Sequence, residues 1–326
     1  FSVIFLSLKS LVLEGIGMLS LEKLSNSNLD RFKKLSAEKL NFKTYDKDFF
    51  KYYESESFFS KILLKKFVKL FVHDEKVIGY IWYNVPFENP IKVWSLYVKP
   101  SYLELVDKDI LQEFDNDMLI YEESNNEAIN SVLCKLGFCK YKETFLMKLV
   151  LFNKEKNNYE SLLKKITEDK DVIEYNCGKN LMIPNIYFKK FKIGKDEKLR
   201  CDIQNDIFHD KMRAEIDVTD IENDIKQEYY IEDLSIFLMM NNSAIGYGQV
   251  IYSRGRYTVV NFGIVSAFRG KGFGELLLKQ IINKCIDKNI LDLYIRVDEN
   301  NTKAINLYNK CGFKYEYSIN NWKREK

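Results

Sequence analysis

Short words from the first half of this chain return in the second half at a nearly fixed distance, and no other feature constrains the fold so tightly. Ile78-Gly79-Tyr80 returns as Ile245-Gly246-Tyr247, 167 residues on, and Val98 corresponds to Ile264 at 166. Ala128-Ile129-Asn130 returns as Ala304-Ile305-Asn306 after 176 residues, and Gly137-Phe138 as Gly312-Phe313 after 175. The offset holds, jumps by about nine, and holds again, which chance similarity of short words does not produce. The chain reads as an internal duplication, with the jump between the fourth strand and the last helix of each copy. A length of 326 residues leaves room for two such domains.

The elements of each copy follow from pattern. In the first, Leu19 to Leu24 reads as a strand. Phe67–Val72 and Val77–Tyr83 read as a hairpin joined through His73, which is expected to be a solvated turn residue. Ile91 to Val98 is a further strand. In the second copy Ile186 to Phe191 is the first strand, with helical segments at Glu197–Phe208 and Asp220–Glu228 and a hairpin over Ser235–Met240 and Ala244–Tyr252. Between the copies, Lys154-Glu155-Lys156-Asn157-Asn158 reads as a charged joint, a helix is expected from Tyr159 to about Thr167, and a second break at 176–180.

Where the offset jumps, the second copy carries Arg269-Gly270-Lys271-Gly272-Phe273-Gly274. Tyr257 to Val265 before it is rich in β-branched and aromatic residues and reads as a buried strand. After it Phe273, Leu276, Leu277, Ile281 and Cys285 recur at helical spacing. A turn from strand to helix exposes backbone N–H groups at a helix N-terminus, where the macrodipole favours negative charge. Glycines let that backbone approach a phosphate, and Arg269 and Lys271 add positive charge, so the turn reads as a phosphate cradle. It is neither the dinucleotide fingerprint, whose third glycine is replaced by Glu275, nor a Walker A loop, which needs Gly-Lys-Ser/Thr. Leu291 to Val297 reads as the next strand, and Asn301 to Phe313 as a helix closed by Gly312.

Two motifs in this order resemble the Gcn5-related N-acetyltransferases, the GNAT family. Arg269, Gly272 and Gly274 match the first motif; Asn301, Ala304, Ile305, Leu307, Tyr308, Gly312 and Phe313 match the second. The resemblance covers roughly the last 140 residues. It implies an α+β chain of two GNAT-like domains, each a mixed, mostly antiparallel twisted sheet flanked by helices. The expected boundaries are an extension at 1–17, a degenerate domain at 18–152, a linker at 153–184 and a catalytic domain at 185–326. The cosubstrate implied is acetyl-CoA. Its pyrophosphate would lie on the amides of Gly270, Lys271, Gly272, Phe273 and Gly274, beside Arg269. Its pantetheine arm would lie along Phe262, Ile264 and Val265, where the strand splays from its neighbour and polarises the thioester carbonyl. Asn301 would touch the pantetheine amides, and Tyr308 would donate a proton to the leaving thiolate. The first copy has Leu103-Glu104-Leu105-Val106-Asp107-Lys108 in place of the glycine turn, and Leu133 or Val132 in place of the tyrosine. One CoA per chain is therefore expected, with a structural role for the first copy.

The remaining composition sets limits. With 46% hydrophobic and 30% charged residues and a net charge of +3, the chain shows no nucleic-acid footprint. Its lysine-rich basicity suggests an AT-rich bacterial genome. Six cysteines form no Cys-x-x-Cys pair and only His73 and His209 could join them as nitrogen ligands, so no metal and a reduced cytoplasmic setting are expected. The apolar run Phe1 to Leu8 is interrupted by Lys9 and is too short to span a bilayer, so no membrane association is expected. Met18 is the expected natural start, since Leu13-Glu14-Gly15 can be encoded by a purine-rich run resembling a ribosome-binding site.

Eight carboxylates between Glu215 and Asp233 face a single lysine, Lys226; they suit either a cationic acceptor or a solvated helix face. The amine must lose a proton, and Glu232, Asp233 and Asp298 are the candidate bases, because Thr258 and its neighbours on the fourth strand are not acidic. The acceptor is expected to be a small-molecule amine or a peptide, the protein a monomer or homodimer. The alternatives are an acyl-CoA-binding sensor without chemistry and a protein N-terminal acetyltransferase.

Overall fold

The computed structural model describes residues 19–40, 46–84, 90–114, 117–124, 126–168, 172, 184–209 and 215–325. The apolar start, Met18 and the expected break at 176–180 lie outside them. The chain forms two compact units: one runs up to Thr144 and includes Ser318–Lys326, the other is Phe145–Tyr317.

The first unit contains β1 (Leu19–Lys23), α1 (Leu29–Leu40), α2 (Phe49–Ser55), α3 (Phe58–Lys65), β2 (Val68–His73), β3 (Lys76–Tyr83) and β4 (Ile91–Val98). Two 3-10 turns, Pro100–Leu105 and Lys108–Phe114, lead to β5 (Leu119–Glu123), α4 (Glu127–Lys135) and the start of β6 (Cys139–Val150). β1 to β4 form an antiparallel run, and β5 joins β4 in parallel. One apolar cluster gathers Phe32, Leu35 and Phe49 with Tyr80 and Trp82; a second gathers Ile78, Ile81, Leu96, Leu111, Val132 and Leu133. The sheet is thus covered on both faces.

The second unit repeats the plan with α5 (Glu160–Thr167), β7 (Ile186–Lys190), α6 (Glu197–Ile207), α7 (Val218–Ile225), β8 (Tyr230–Met240), β9 (Ser243–Ser253) and β10 (Arg256–Ile264). A short 3-10 turn at Ser266–Phe268 precedes α8 (Phe273–Asp287), β11 (Asp292–Asp298), α9 (Thr302–Lys310) and β12 (Lys314–Arg324). The duplication is visible in the element starts: 167 residues separate Leu19 of β1 from Ile186 of β7, and 175 separate Glu127 of α4 from Thr302 of α9. Even the hairpin turns correspond. Asp74 and Glu75 have φ of 46° and 62°, and Asn241 and Asn242 have 47° and 69°, the left-handed pair that matches strand twist in a two-residue hairpin. The jump in offset falls at α8, where the described residues of the first unit form two 3-10 turns.

Unit membership departs from the expected boundaries at three places. Ser318–Lys326 belongs to the first unit, where β12 pairs antiparallel with β5 from Asn320 opposite Glu123 to Arg324 opposite Leu119. The later part of β6 belongs to the second unit beside β11, with Lys148 paired to Asp292 at 3.0 Å. Hydrophobic alternation identifies a strand but not the strand it pairs with, so the sequence pattern is silent on this. The expected linker, where described, is packed along α8: Asn157 N–H donates to Asn283 Oδ1 at 2.7 Å, Tyr159 OH donates to Gln280 at 3.1 Å, and Ile166 is buried. All 3 tryptophans, Trp82, Trp94 and Trp322, lie in the first unit, so their fluorescence reports on it alone. Trp322 is in that unit's core. Trp322→Ala should cost the first unit about 3–5 kcal/mol in urea unfolding followed by the remaining tryptophans.

Candidate active site

The site begins where two parallel strands part. β10 pairs with β11 only at Tyr257–Leu293, Thr258–Tyr294 and Val259–Ile295. Its antiparallel pairing with β9 continues to Ile264 through an irregularity between Val260 and Gly263, where Asn261 takes a φ of 51°. A bulge bends a strand and increases its local twist, which moves the end of β10 off the line of β11. Gly263 is required there, because a Cβ would overlap the Ile207 side chain of α6. Of the residues expected to line the donor, Phe262 is half-buried, Ile264 is buried beneath α8, and the Val265 N–H is already committed to Ile245 O at 3.0 Å.

The glycine turn follows, and its three glycines have three roles. Gly270 has a φ of 80° and no atom within 4 Å of where a Cβ would stand. Gly272, with a φ of 90°, is the residue that caps α8, and its Cβ position lies 3.3 Å from Ile166 of α5. Gly274 lets α9 approach, since a Cβ there would stand 3.2 Å from Leu307 and 3.8 Å from Ile264. The first N–H groups of α8 have no intrahelical partner. Lys271, half-buried, has no ion-pair or hydrogen-bond partner among the described residues.

Arg269 is differently placed. Its Nε donates to Ile264 O at 2.8 Å and its Nη2 to Ile207 O at 2.6 Å, so the guanidinium ties the end of β10 to the C-terminus of α6. Glu275, the third residue of α8, is buried, and that burial pushes its carboxyl pKa up. Lys279 at 2.8 Å and Lys310 at 2.6 Å more than reverse the effect, leaving the pKa below its ordinary value.

α9 closes the site. Asn301 caps it, its Oδ1 accepting from Ala304 N–H at 3.1 Å. Tyr308 is only 7% exposed, with its ring 6.1 Å from that of Phe262 and 6.2 Å from that of Phe313. Burial, with a smaller contribution from Cys311, pushes its hydroxyl pKa up to about 12. That hydroxyl has no hydrogen-bond partner among the described residues. The splayed strand end and the start of α8 thus meet α9 at Gly274, and Tyr308 of α9 packs on Phe262 of the same strand end.

A family model described as acetyltransferase (GNAT) family matches residues 202–313, the stretch that holds all of these features. Residues 202–313 thus match the GNAT family. A [ribosomal protein bS18]-alanine N-acetyltransferase of Haemophilus influenzae is 34% identical over 80 residues, 24% of this chain and 54% of that protein. The match therefore spans about half the length of that curated relative. Among solved structures, a GCN5-related N-acetyltransferase from Sphaerobacter thermophilus gives a TM-score of 0.63 at 13% identity, covering 94% of this chain and 95% of that one. A tandem GNAT protein from the clavulanic acid biosynthesis pathway gives 0.55 at 10% identity, covering 94% and 98%. Both likenesses extend through both units, so the GNAT fold is present twice.

Position separates the candidate bases of the GNAT domain. Asp233 bonds Lys190 at 2.5 Å and Lys288 at 2.7 Å, which together hold its pKa down at about 2. Lys288 follows the end of α8, whereas the glycine turn is at its start, some 22 Å away for a helix of 15 residues. Glu232, paired to Lys190 at 3.5 Å, shares that remote position. Asp298 ends β11 on the side where the strands part, with its Oδ1 accepting from Asn300 N–H at 2.9 Å. The acidic run is largely accounted for by local structure. Asp217 and Asp220 form a capping box on α7, and Asp224 accepts from buried Arg200 at 2.5 Å and from Tyr229 at 2.7 Å.

Sequence reasoning missed the Arg269 clasp, the lysine pair on Glu275 and the need for Gly263. Only Gly263 left a signal, a glycine inside an otherwise apolar strand. Arg269→Met should lower the stability of the second unit by about 1–3 kcal/mol, because two carbonyls lose charged donors. Far-UV circular dichroism in urea measures this, and tryptophan fluorescence, confined to the first unit, should not move.

Proposed function

We propose that the second unit transfers an acetyl group from acetyl-CoA to a primary amine by direct attack, without a covalent enzyme intermediate. The observation that carries this reading is the buried Tyr308 hydroxyl, which has no hydrogen-bond partner among the described residues and whose ring stands 6.1 Å from that of Phe262 at the open strand end. The residues suit the donor. The N–H groups that open α8 and the unpaired Lys271 favour a pyrophosphate, and the space at Gly270 admits it. The edge of β10 beyond Val259 offers backbone groups to the pantetheine arm and thioester carbonyl. The amine nitrogen bonds to the acetyl carbon, the C–S bond breaks, and the electron pair leaves on sulfur. Asp298, directly or through water, takes the proton that the amine loses.

Magnitudes refine the part played by Tyr308. A thiol ionises near ~8.5, so full proton transfer from a hydroxyl at about 12 to the departing thiolate is uphill by roughly 5 kcal/mol. Tyr308 therefore acts chiefly by donating a hydrogen bond to the charge developing on sulfur. This is stabilisation of the kind an oxyanion-hole donor supplies.

The partial match to an alanine N-acetyltransferase favours a second reading, in which the amine is the N-terminus of a peptide. A screen of small amines and peptides with release of free CoA thiol separates the two. Binding of acetyl-CoA without release on any acceptor would instead identify a sensor. Tyr308→Phe should retain CoA affinity and lower turnover by about 10²–10³-fold. Unchanged turnover with chemistry rate-limiting removes Tyr308 from the mechanism. Gly270→Glu places a carboxylate in the open space of the turn and should abolish CoA binding in titration calorimetry. The unaltered chain should bind one equivalent.

A further inference from the structure

The first unit has the same parting of strands, and there the opening is filled by the chain itself. β4 pairs with β5 only at Ile91–Leu119 and Lys92–Ile120. Beyond that point the edge of β4 is satisfied from the segment after α1. Lys47 N–H donates to Trp94 O at 3.1 Å, and Leu96 N–H donates to Asp46 Oδ2 at 3.1 Å. Lys39 Nζ donates to Leu96 O at 2.9 Å and to Ser95 Oγ at 2.8 Å. Lys39 also pairs with Asp46, which accepts from Tyr121 OH as well. The two side chains are 4% and 3% exposed, and the pair carries no net charge. A pantetheine arm has no free backbone edge to add to here.

Beside this network lies a cavity of about 120 Å³, walled by Leu96, Val98, Leu103, Ala128, Ile129 and Val132. Four polar residues border it, and each is engaged within the protein. Lys39 is held as described. Asn126 caps α4 through Ala128 N–H at 3.0 Å, Ser131 OH donates to Glu127 O at 3.2 Å, and Tyr97 is likewise not free. What remains to be offered to a ligand is mostly apolar wall, and the one charged side chain that borders it, Lys39, is paired within the protein. An anion would lose its hydration and gain no counter-charge. Apolar cavities of about 150 Å³ stay dry and take up benzene, so this volume suits a molecule of roughly six or seven carbons.

We propose that the first unit binds a small, uncharged, apolar molecule between the end of β4 and α4, in the place corresponding to the thioester site of the second unit. The duplication has thus yielded two ligand sites of different chemistry on one scaffold, one for a charged thioester and one for a neutral apolar molecule.

The test uses the full chain with ¹³C-labelled Ile, Leu and Val methyl groups and toluene as the probe. Toluene should shift the methyls of Leu96, Val98, Ile129 and Val132 saturably and leave the second unit's methyls in place. Val132→Phe should weaken that binding at least tenfold; Ile129→Phe, which fills the same space from the next helical position, serves should the first variant fail to fold. Excess CoA should leave the toluene titration unchanged. No saturable shift up to the solubility of toluene, undiminished binding in a folded filling variant, or displacement by CoA would each overturn the proposal. The result does not depend on whether the second unit binds CoA, so failure of the acetyl-transfer reading is distinguishable.

Discussion

The working parts of the second unit depend on the parting of β10 from β11. Three paired residues hold the strands together, and then the bulge at Asn261 turns β10 away. Once the ladder stops, backbone groups at the end of β10 must find other partners, because buried polar groups left unpaired are costly. Part of that demand is met inside the protein: Val265 N–H goes to Ile245, and Ile264 O receives Arg269. The remaining edge is what a ligand with amides and a carbonyl can use. Gly263 and Gly274 make the geometry possible from opposite sides, one admitting Ile207 and the other Leu307. The site is therefore a packing solution as much as a chemical one.

The two copies show two outcomes of the same constraint. In the first, the strand edge is satisfied from within by Lys39, Asp46 and Lys47, and two 3-10 turns replace α8. Among the described residues no long helix starts at that point, so they offer no row of free helix N–H groups and no dipole to hold a phosphate. Loss of the glycine turn and internal closure of the strand edge go together physically. A strand edge that no neighbouring strand meets still has to satisfy its backbone, and a buried, mutually neutralising Lys–Asp pair does so.

Much of this was legible in the sequence. The offsets of the repeated words locate both copies, the hairpins fall within a few residues of their expected ends, and α8 and α9 lie where the apolar spacing puts them. Tyr308 sits on a buried helix face beside Phe262. What was hidden depends on distance along the chain. The Lys39–Leu96 contact spans 57 residues and the Arg269–Ile207 contact 62, and neither leaves a local pattern. The assignment of Ser318–Lys326 to the first unit was hidden for the same reason. The glycines carry more than their spacing tells. It predicts a phosphate cradle, but a missing side chain also serves a left-handed backbone at Gly272 and a neighbouring helix at Gly274, and sequence does not separate these tasks.

Glu275 shows how charge is managed at the start of α8. A carboxylate three residues into a helix is favoured by the dipole, yet it also stands near the place where an anion is to bind. Alone it would oppose a pyrophosphate. Paired to both Lys279 and Lys310 it contributes little net negative charge, and it anchors α9 to α8 through Lys310. The same ion triad therefore fixes the helix that carries Tyr308 and removes the repulsion from the phosphate side. In the proposed acetyl transfer, donor binding and the position of the tyrosine are coupled through one buried carboxylate. Its loss would disturb both at once, whereas loss of the unpaired Lys271 would weaken only the electrostatic attraction and leave Tyr308 in place.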